Sequence, residues 1–398
     1  MKKALIAAAA LLTSVLVVPG AGAAHGKPVG SWGPSMTIGG PDFADQTIRM
    51  VVHASIGGSS LRIKLSNQHS TTPLAVGEVD IAAQAQQATA VAGTRHTVTF
   101  SHERSFTIPV GAEVTSDPIP MTVAVDSNVL VSIYLPQATS SSTWHYDAYD
   151  TTYLSIPGDH AADADDGAYV TATTAWYYLD GLEVTAPSAR GTVVAFGDSI
   201  TDGYNTPVGA YATWPEDLAR RLAGDHPLGV VDAGIGGNRV LTDVPDNWQA
   251  GVSAIQRFGH DALGQAGVRD VILFEGINDI GNMAGPNGTT LTAQDLENGY
   301  LNLIAQAHAA GVRIIGATIL PCYGSGNYSP AGETIREGVN NWIRTSGAFD
   351  GVIDFDSVMR DPANPIALNP TYDSGDHLHP NAAGMQAMAN SIDLSLLQ

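Results

Sequence analysis

Thr192-Val193-Val194-Ala195-Phe196-Gly197-Asp198-Ser199-Ile200-Thr201-Asp202-Gly203 is an apolar run that stops at a glycine and turns at once into hydroxyl and carboxylate residues. Thr192 to Phe196 does not alternate, and an unbroken apolar strand is one covered on both faces. The residues after it favour a sharp turn. A serine at a tight strand-to-helix turn presents its hydroxyl at the sheet's edge, where its own N–H can also face an oxyanion. Gly-Asp-Ser is equally ordinary turn chemistry, so the tripeptide alone does not choose between a nucleophile and a turn.

Downstream the pattern repeats. Val230 to Ala233, Val271 to Phe274, Val312 to Leu320 and Val352 to Phe355 read as strands. Helical windows run from Trp214 to Leu222, Leu291 to Ala310, Glu333 to Arg344 and Asn381 to Leu397. Apolar strands spaced by helices predict a parallel sheet with helices on both faces, and such sheets place ligand sites at the carboxyl ends of their strands. The next strand ends in Asp232-Ala233-Gly234-Ile235-Gly236-Gly237-Asn238-Arg239, whose glycines free backbone N–H groups for an anion. A dinucleotide fingerprint fails there, because Arg239 stands where a third glycine or alanine is needed. Phe274-Glu275-Gly276-Ile277-Asn278-Asp279 follows the third strand. The Asn278 amide can donate to developing negative charge, although Asn278 or Asp279 can also simply cap a turn. Near the C-terminus stands Asp373-Ser374-Gly375-Asp376-His377-Leu378-His379-Pro380-Asn381. Asp376 and His379 are three apart on a loop entering a helix, so the carboxylate can accept the Nδ1 proton and leave Nε2 facing a serine. His377, one residue from Asp376, is expected to diverge into solvent. A metal on Asp376, His377 and His379 lacks further ligands nearby, so no metal is expected.

Upstream the period changes. Thr47-Ile48-Arg49-Met50-Val51-Val52-His53 and Ser60-Leu61-Arg62-Ile63-Lys64-Leu65-Ser66 alternate, and Gly, Ser, Thr and Pro clusters separate such runs, which predicts an antiparallel β-sandwich. Thr185 to Arg190 reads as a linker, giving a β-sandwich domain over 28–186 and an α/β domain over 191–398. Met1-Lys2-Lys3, the apolar run Ala4 to Val18 and the small residues up to Ala23 have the order of a signal peptide, predicted over residues 1–23 with cleavage near Ala23, so a secreted protein is expected. No apolar run reaches the ~20 residues of a membrane span.

The chain has 398 residues, with 18 basic and 39 acidic side chains and a formal charge of −21. That balance excludes a nucleic-acid binder held by phosphate neutralisation and favours neutral substrates over polyanions. Hydrophobic residues make up 44% and charged ones 14%, the composition of a folded chain. The single cysteine, Cys322, forms no intrachain disulfide and reads as a small buried hydrophobe. Asp163-Ala164-Asp165-Asp166-Gly167 lacks the later glycine and glutamate of a calcium loop and reads as a solvated turn.

Together the four blocks resemble the SGNH hydrolases, also called the GDSL family of esterases and lipases. Gly197-Asp198-Ser199-Ile200, Gly237-Asn238, Gly276-Ile277-Asn278-Asp279 and Asp376-His377-Leu378-His379 occur in the family's order. The resemblance implies a three-layer flavodoxin-like hydrolase domain preceded by an all-β, jelly-roll-like domain. It implies Ser199 as nucleophile, His379 as base and Asp376 as its orienter, with no cofactor. The oxyanion hole it implies comprises the N–H groups of Ser199 and Gly237 and the side chain of Asn278, with Gly236 as the alternative to Gly237.

The expected function is a secreted serine esterase acting through an acyl-enzyme on small-molecule or polysaccharide esters, with short acyl groups on carbohydrate favoured. A lipase for longer acyl esters is one alternative. Another is a carbohydrate-binding protein in which the β half does the work. Tyr204 and Trp248 are candidate substrate-binding residues. Tyr323 and Trp214 also lie near the blocks, with Trp214 expected to pack in the core. Trp144-His145 in the β half is not expected to reach the cleft.

Overall fold

The computed structural model describes residues 26–225, 227–244 and 249–397. The predicted signal peptide lies outside the described residues. Among the described residues no helix is long and apolar enough to cross a membrane.

The first half is all-β and antiparallel. One sheet has the order Pro28–Trp32, Leu179–Thr185, Leu61–Ser66, Glu113–Thr115. A larger one has the order Tyr169–Thr173, Thr152–Pro157, Gln46–Ala54, Ser127–Leu135, Glu78–Gln86, Thr89–Ala90. Alternation sends Ile63 and Leu65 from one sheet and Ile48, Met50 and Val52 from the other into a shared core. The opposite face of Gln46–Ala54 is covered too. Buried Arg49 donates to the carbonyls of Ala88 at 2.6 Å and Asp163 at 2.6 Å, so the acidic turn at 163–166 lies over this sheet by its backbone.

In the second half five parallel strands, β1 (Gly191–Gly197), β2 (Leu228–Gly234), β3 (Val268–Phe274), β4 (Arg313–Ala317) and β5 (Gly351–Ile353), take the order β2-β1-β3-β4-β5. Every residue of β1 is buried, as its unbroken apolar run requires. The helices are α1 (Ser199–Asp202), α2 (Trp214–Leu222), α3 (Ala254–Asp261), α4 (Ile277–Asn282), α5 (Ala293–Ala309), α6 (Pro330–Thr345), α7 (Phe355–Met359) and α8 (Ala382–Ser391). Helices α3, α5 and α6 share a core with one face of the sheet, and α2, α7 and α8 with the other, making three layers. The order reverses between β1 and β3, and a doubly wound sheet opens its ligand crevice at such a switch point.

Three sequence expectations change. The last helix ends at Ser391, not Leu397, because Ile392 turns extended and a separate 3₁₀ turn follows, capped by Asp393. The strand expected through Leu320 stops at Ala317, and Phe355 opens a helix instead of closing a strand. Helix α3 had no expected counterpart. The two halves are also not joined by a linker alone: Gly30 N–H donates to Thr192 Oγ1 at 2.9 Å and Val230 N–H to Ser55 Oγ at 3.0 Å.

Candidate active site

The turn at the end of β1 is tightly made. A Cβ on Gly197 would collide with the Thr201 side chain and the Phe274 carbonyl, so only glycine lets β1 run into α1 beside β3. Asp198 caps α1, accepting from Ile200 N–H at 3.0 Å. Ser199 is thereby the first helical residue, 8% exposed.

At the other end of the half, the Asp376 carboxylate folds back on its own loop. Its Oδ1 accepts the N–H groups of Leu378 at 3.0 Å and His379 at 2.9 Å, while Oδ2 lies 2.7 Å from His379 Nδ1. Asn381 caps α8 by accepting from Gly384 N–H, which anchors the loop's exit. His379 Nε2 then reaches Ser199 Oγ at 2.8 Å. Asn205 Nδ2, which the sequence did not flag, donates to Asp376 Oδ2 at 3.1 Å.

The electrostatics follow from these contacts. Burial pushes the Asp376 carboxyl up, but the two N–H groups and the His379 ring outweigh it and hold it at about 2. Burial lowers the His379 imidazole below its ordinary value, with Asp376 opposing. At neutral pH the pair is a carboxylate and a neutral ring with its proton on Nδ1, leaving Nε2 to accept from the serine hydroxyl. His377 turns away: its Nδ1 lies 2.6 Å from Asp373 Oδ2 and its side chain is largely exposed.

The second and third blocks are locked together. Asn278 Nδ2 donates to the Asn238 carbonyl at 2.9 Å, leaving its second hydrogen for another acceptor. Asp279 does more than cap a turn. It is fully buried, and its carboxylate accepts the N–H groups of Val240 at 2.8 Å and Leu241 at 3.0 Å, clamping the loop after β2 onto α4. Gly237 takes the left-handed conformation, φ 78°, which turns that loop sharply.

Arg257, which the sequence analysis passed over, and His145 brace this loop and α1. Arg257, buried on α3, donates to the carbonyls of Gly197 and Ala233, each at 2.8 Å, to Asn238 Oδ1 at 2.9 Å and to Ser35 Oγ at 3.1 Å. The available signal was an arginine between Ala254 and Phe258 with an acid, Asp261, four residues on. His145 corrects an expectation, because it does cross to the α/β half: its Nε2 lies 3.0 Å from Asp202 Oδ1 at the end of α1, and its Nδ1 2.8 Å from the Ser35 carbonyl. Burial lowers this ring, but the Asp202 charge and hydrogen bond raise it to about 9. The Trp144 indole N–H donates to the Ile38 carbonyl at 2.8 Å.

Of the candidate substrate contacts, Tyr204 packs on the His379 ring with centroids 4.4 Å apart and is 39% exposed. Tyr323 is exposed and meets Tyr328 edge-on. Trp214 is fully buried against Phe355. Trp248 lies outside the described residues. Among these, one group has metal-ligand spacing: Glu113, Asp180 and His260, away from Ser199. The Lys64 ammonium already stands 2.6 Å from Asp180 Oδ2, which makes this an ion-pair cluster at the join of the halves.

Residues 195–387 match the model of the GDSL-like lipase/acylhydrolase family. The α/β half is a hydrolase domain of that family, and the protein is a carboxylic ester hydrolase. Solved structures similar to it include an aryl esterase from M. smegmatis, with 17% identity over 50% of this chain and 95% of that one and a TM-score of 0.40. A GDSL-like lipase from Bacteroides thetaiotaomicron shows 20% identity over 52% and 87%, TM-score 0.38. Est24, a carbohydrate acetylesterase from Sinorhizobium meliloti, shows 17% identity over 50% and 95%, TM-score 0.39. A search of curated proteins finds no match to this chain.

Proposed function

We propose that the protein is a secreted serine esterase that removes short acyl groups, acetyl foremost, from neutral carbohydrate-like alcohols. One observation carries the chemistry: Ser199 Oγ, His379 and Asp376 form a continuous chain with links of 2.8 and 2.7 Å. Neutral His379 takes the Ser199 proton as Oγ attacks the ester carbonyl, and the resulting imidazolium is stabilised by Asp376. The N–H groups of Ser199 and Gly237 and the Asn278 amide receive the oxyanion. The imidazolium protonates the departing alcohol, and water activated by the same ring then releases the acid from the acyl-enzyme.

Neutral alcohols are favoured because the chain is strongly acidic and because exposed tyrosines, Tyr204 and Tyr323, offer ring faces near the histidine loop. Hydrolysis of a nitrophenyl ester series with acyl chains of two to twelve carbons, and acetate release from acetylated xylan, test the reading. The expected result is fastest turnover on acetate, with Ser199→Ala inactive and Asn278→Ala reduced roughly 10²- to 10³-fold in kcat. Full activity in Ser199→Ala removes the nucleophile assignment, and a preference for the longest chains favours a lipase.

A further inference from the structure

One wall near the proposed reaction centre comes from the β half. After the strand Ser142–His145 the chain runs through Tyr146 and Asp147 to Tyr149, and this loop is held against the hydrolase half. His145 lies against Asp202 at 3.0 Å, and the Gly209 N–H donates to the Tyr149 carbonyl at 2.8 Å. Between them Asp147 meets the loop that follows β2: a Cβ built on Gly236 would stand 3.2 Å from Asp147 Oδ2 and 4.0 Å from Asp202 Oδ2. Gly236 adjoins Gly237, whose N–H is one of the proposed oxyanion donors. Burial and the charges of Asp202 and Asp147 push the Tyr149 phenol up, and Tyr204 covers the His379 ring.

Asp147 differs from the acids around it. Asp202 has His145, Asp376 has His379 and two N–H groups, and Asp279 has two N–H groups. Among the described residues Asp147 has no hydrogen-bond or ion-pair partner. Burial and the Asp202 charge push its carboxyl up to about 6, with only His145 opposing. A partly buried carboxylate with unfilled acceptor oxygens costs folding free energy. Beside a reaction centre, such a group is a natural acceptor for a donor carried in by the substrate. Tyr146 next to it is 42% exposed and meets Trp144 edge-on.

Resting on the esterase reading, the geometry points to Asp147 as a specificity residue supplied by the β half, one that accepts a hydrogen bond from a free hydroxyl on the alcohol part of the ester. The substrate class is then a partially acylated polyol or sugar, and the β half is a working part of the substrate site.

The test compares glycerol monoacetate with n-propyl acetate, which has the same carbon skeleton without the two hydroxyls, by pH-stat titration at pH 8. Wild type is expected to prefer the monoacetate. Asp147→Ala is expected to lower the ratio of kcat/KM values at least tenfold, chiefly by raising KM for the monoacetate, while its melting temperature does not fall below that of wild type. Asp147→Asn, which keeps one acceptor oxygen, should fall between the two and carries the test if the alanine variant does not fold. A ratio unchanged within twofold overturns the inference, as does an equal loss on both esters. A wild-type preference for acetylcholine, whose ammonium has no hydrogen-bond donor, overturns it too. A wild type inactive on these esters and on nitrophenyl acetate overturns the esterase reading and this inference with it.

Discussion

His379 shows how burial and a charged neighbour compete at one side chain. Its ordinary value would place the rising limb of activity near pH ~6.5. Burial lowers the imidazole and the Asp376 carboxylate only partly restores it. The proposed base therefore loses its proton earlier in a pH titration, and kcat/KM on nitrophenyl acetate should reach half its plateau below pH 6.5. A midpoint above 7 would mean that the carboxylate dominates or that another group limits the rate. The Asp376–His379 contact was legible from spacing, because three residues on one loop decide it. Asn205 was not, since its contact with Asp376 spans 171 residues of sequence.

Elements supply the rigidity that the side chains lack. Helix α3 carries Arg257, whose guanidinium joins the ends of β1 and β2 to Asn238 and lies over the Phe196 ring, 3.9 Å from its centroid. Asp261 at 3.3 Å and Glu275 at 3.6 Å are its buried acidic neighbours. Arg257→Met should take from Glu275 its nearby cation and leave the Gly197 and Ala233 carbonyls without this donor, while Asp261 keeps the His260 ring at 2.6 Å. The expected loss is ~3–5 kcal/mol, read from urea unfolding. Strand positions were readable from unbroken apolar runs, whereas α3 was hidden: its buried face includes Arg257 and Asp261, so the apolar stripe that marks a helix is interrupted.

Across the whole molecule, His145 and Asp202 tie the β half to α1, the helix that Ser199 opens. The His145 ring is raised from about 6.5 in an unfolded chain to about 9 in the fold, where it faces Asp202, Asp147 and the Ser35 carbonyl. Its protonated form is thus bound more tightly by the native state. That stabilisation is fully present below pH ~6.5 and fades as pH rises through about 9. The difference in unfolding free energy between wild type and His145→Gln should be large at pH 6 and should shrink by pH 10. A difference independent of pH would mean that the ring acts by packing alone. A sequence scan gives a histidine in a β-half no reason to pair with a helix end 57 residues away.

Local pattern alone determined the two halves, the parallel strands and the four turns at which chemistry-bearing residues stand, because periodicity and turn preference act over a few residues. It also determined that Asp376 and His379 share a loop. Only the tertiary structure decided that Ser199 meets a histidine 180 residues away, that Arg257 braces the turn before it and that Asp147 from the other half lies at the loop after β2. Those contacts depend on strand order, which puts β1 between β2 and β3, and on the faces by which the halves pack. No period along the chain encodes either one.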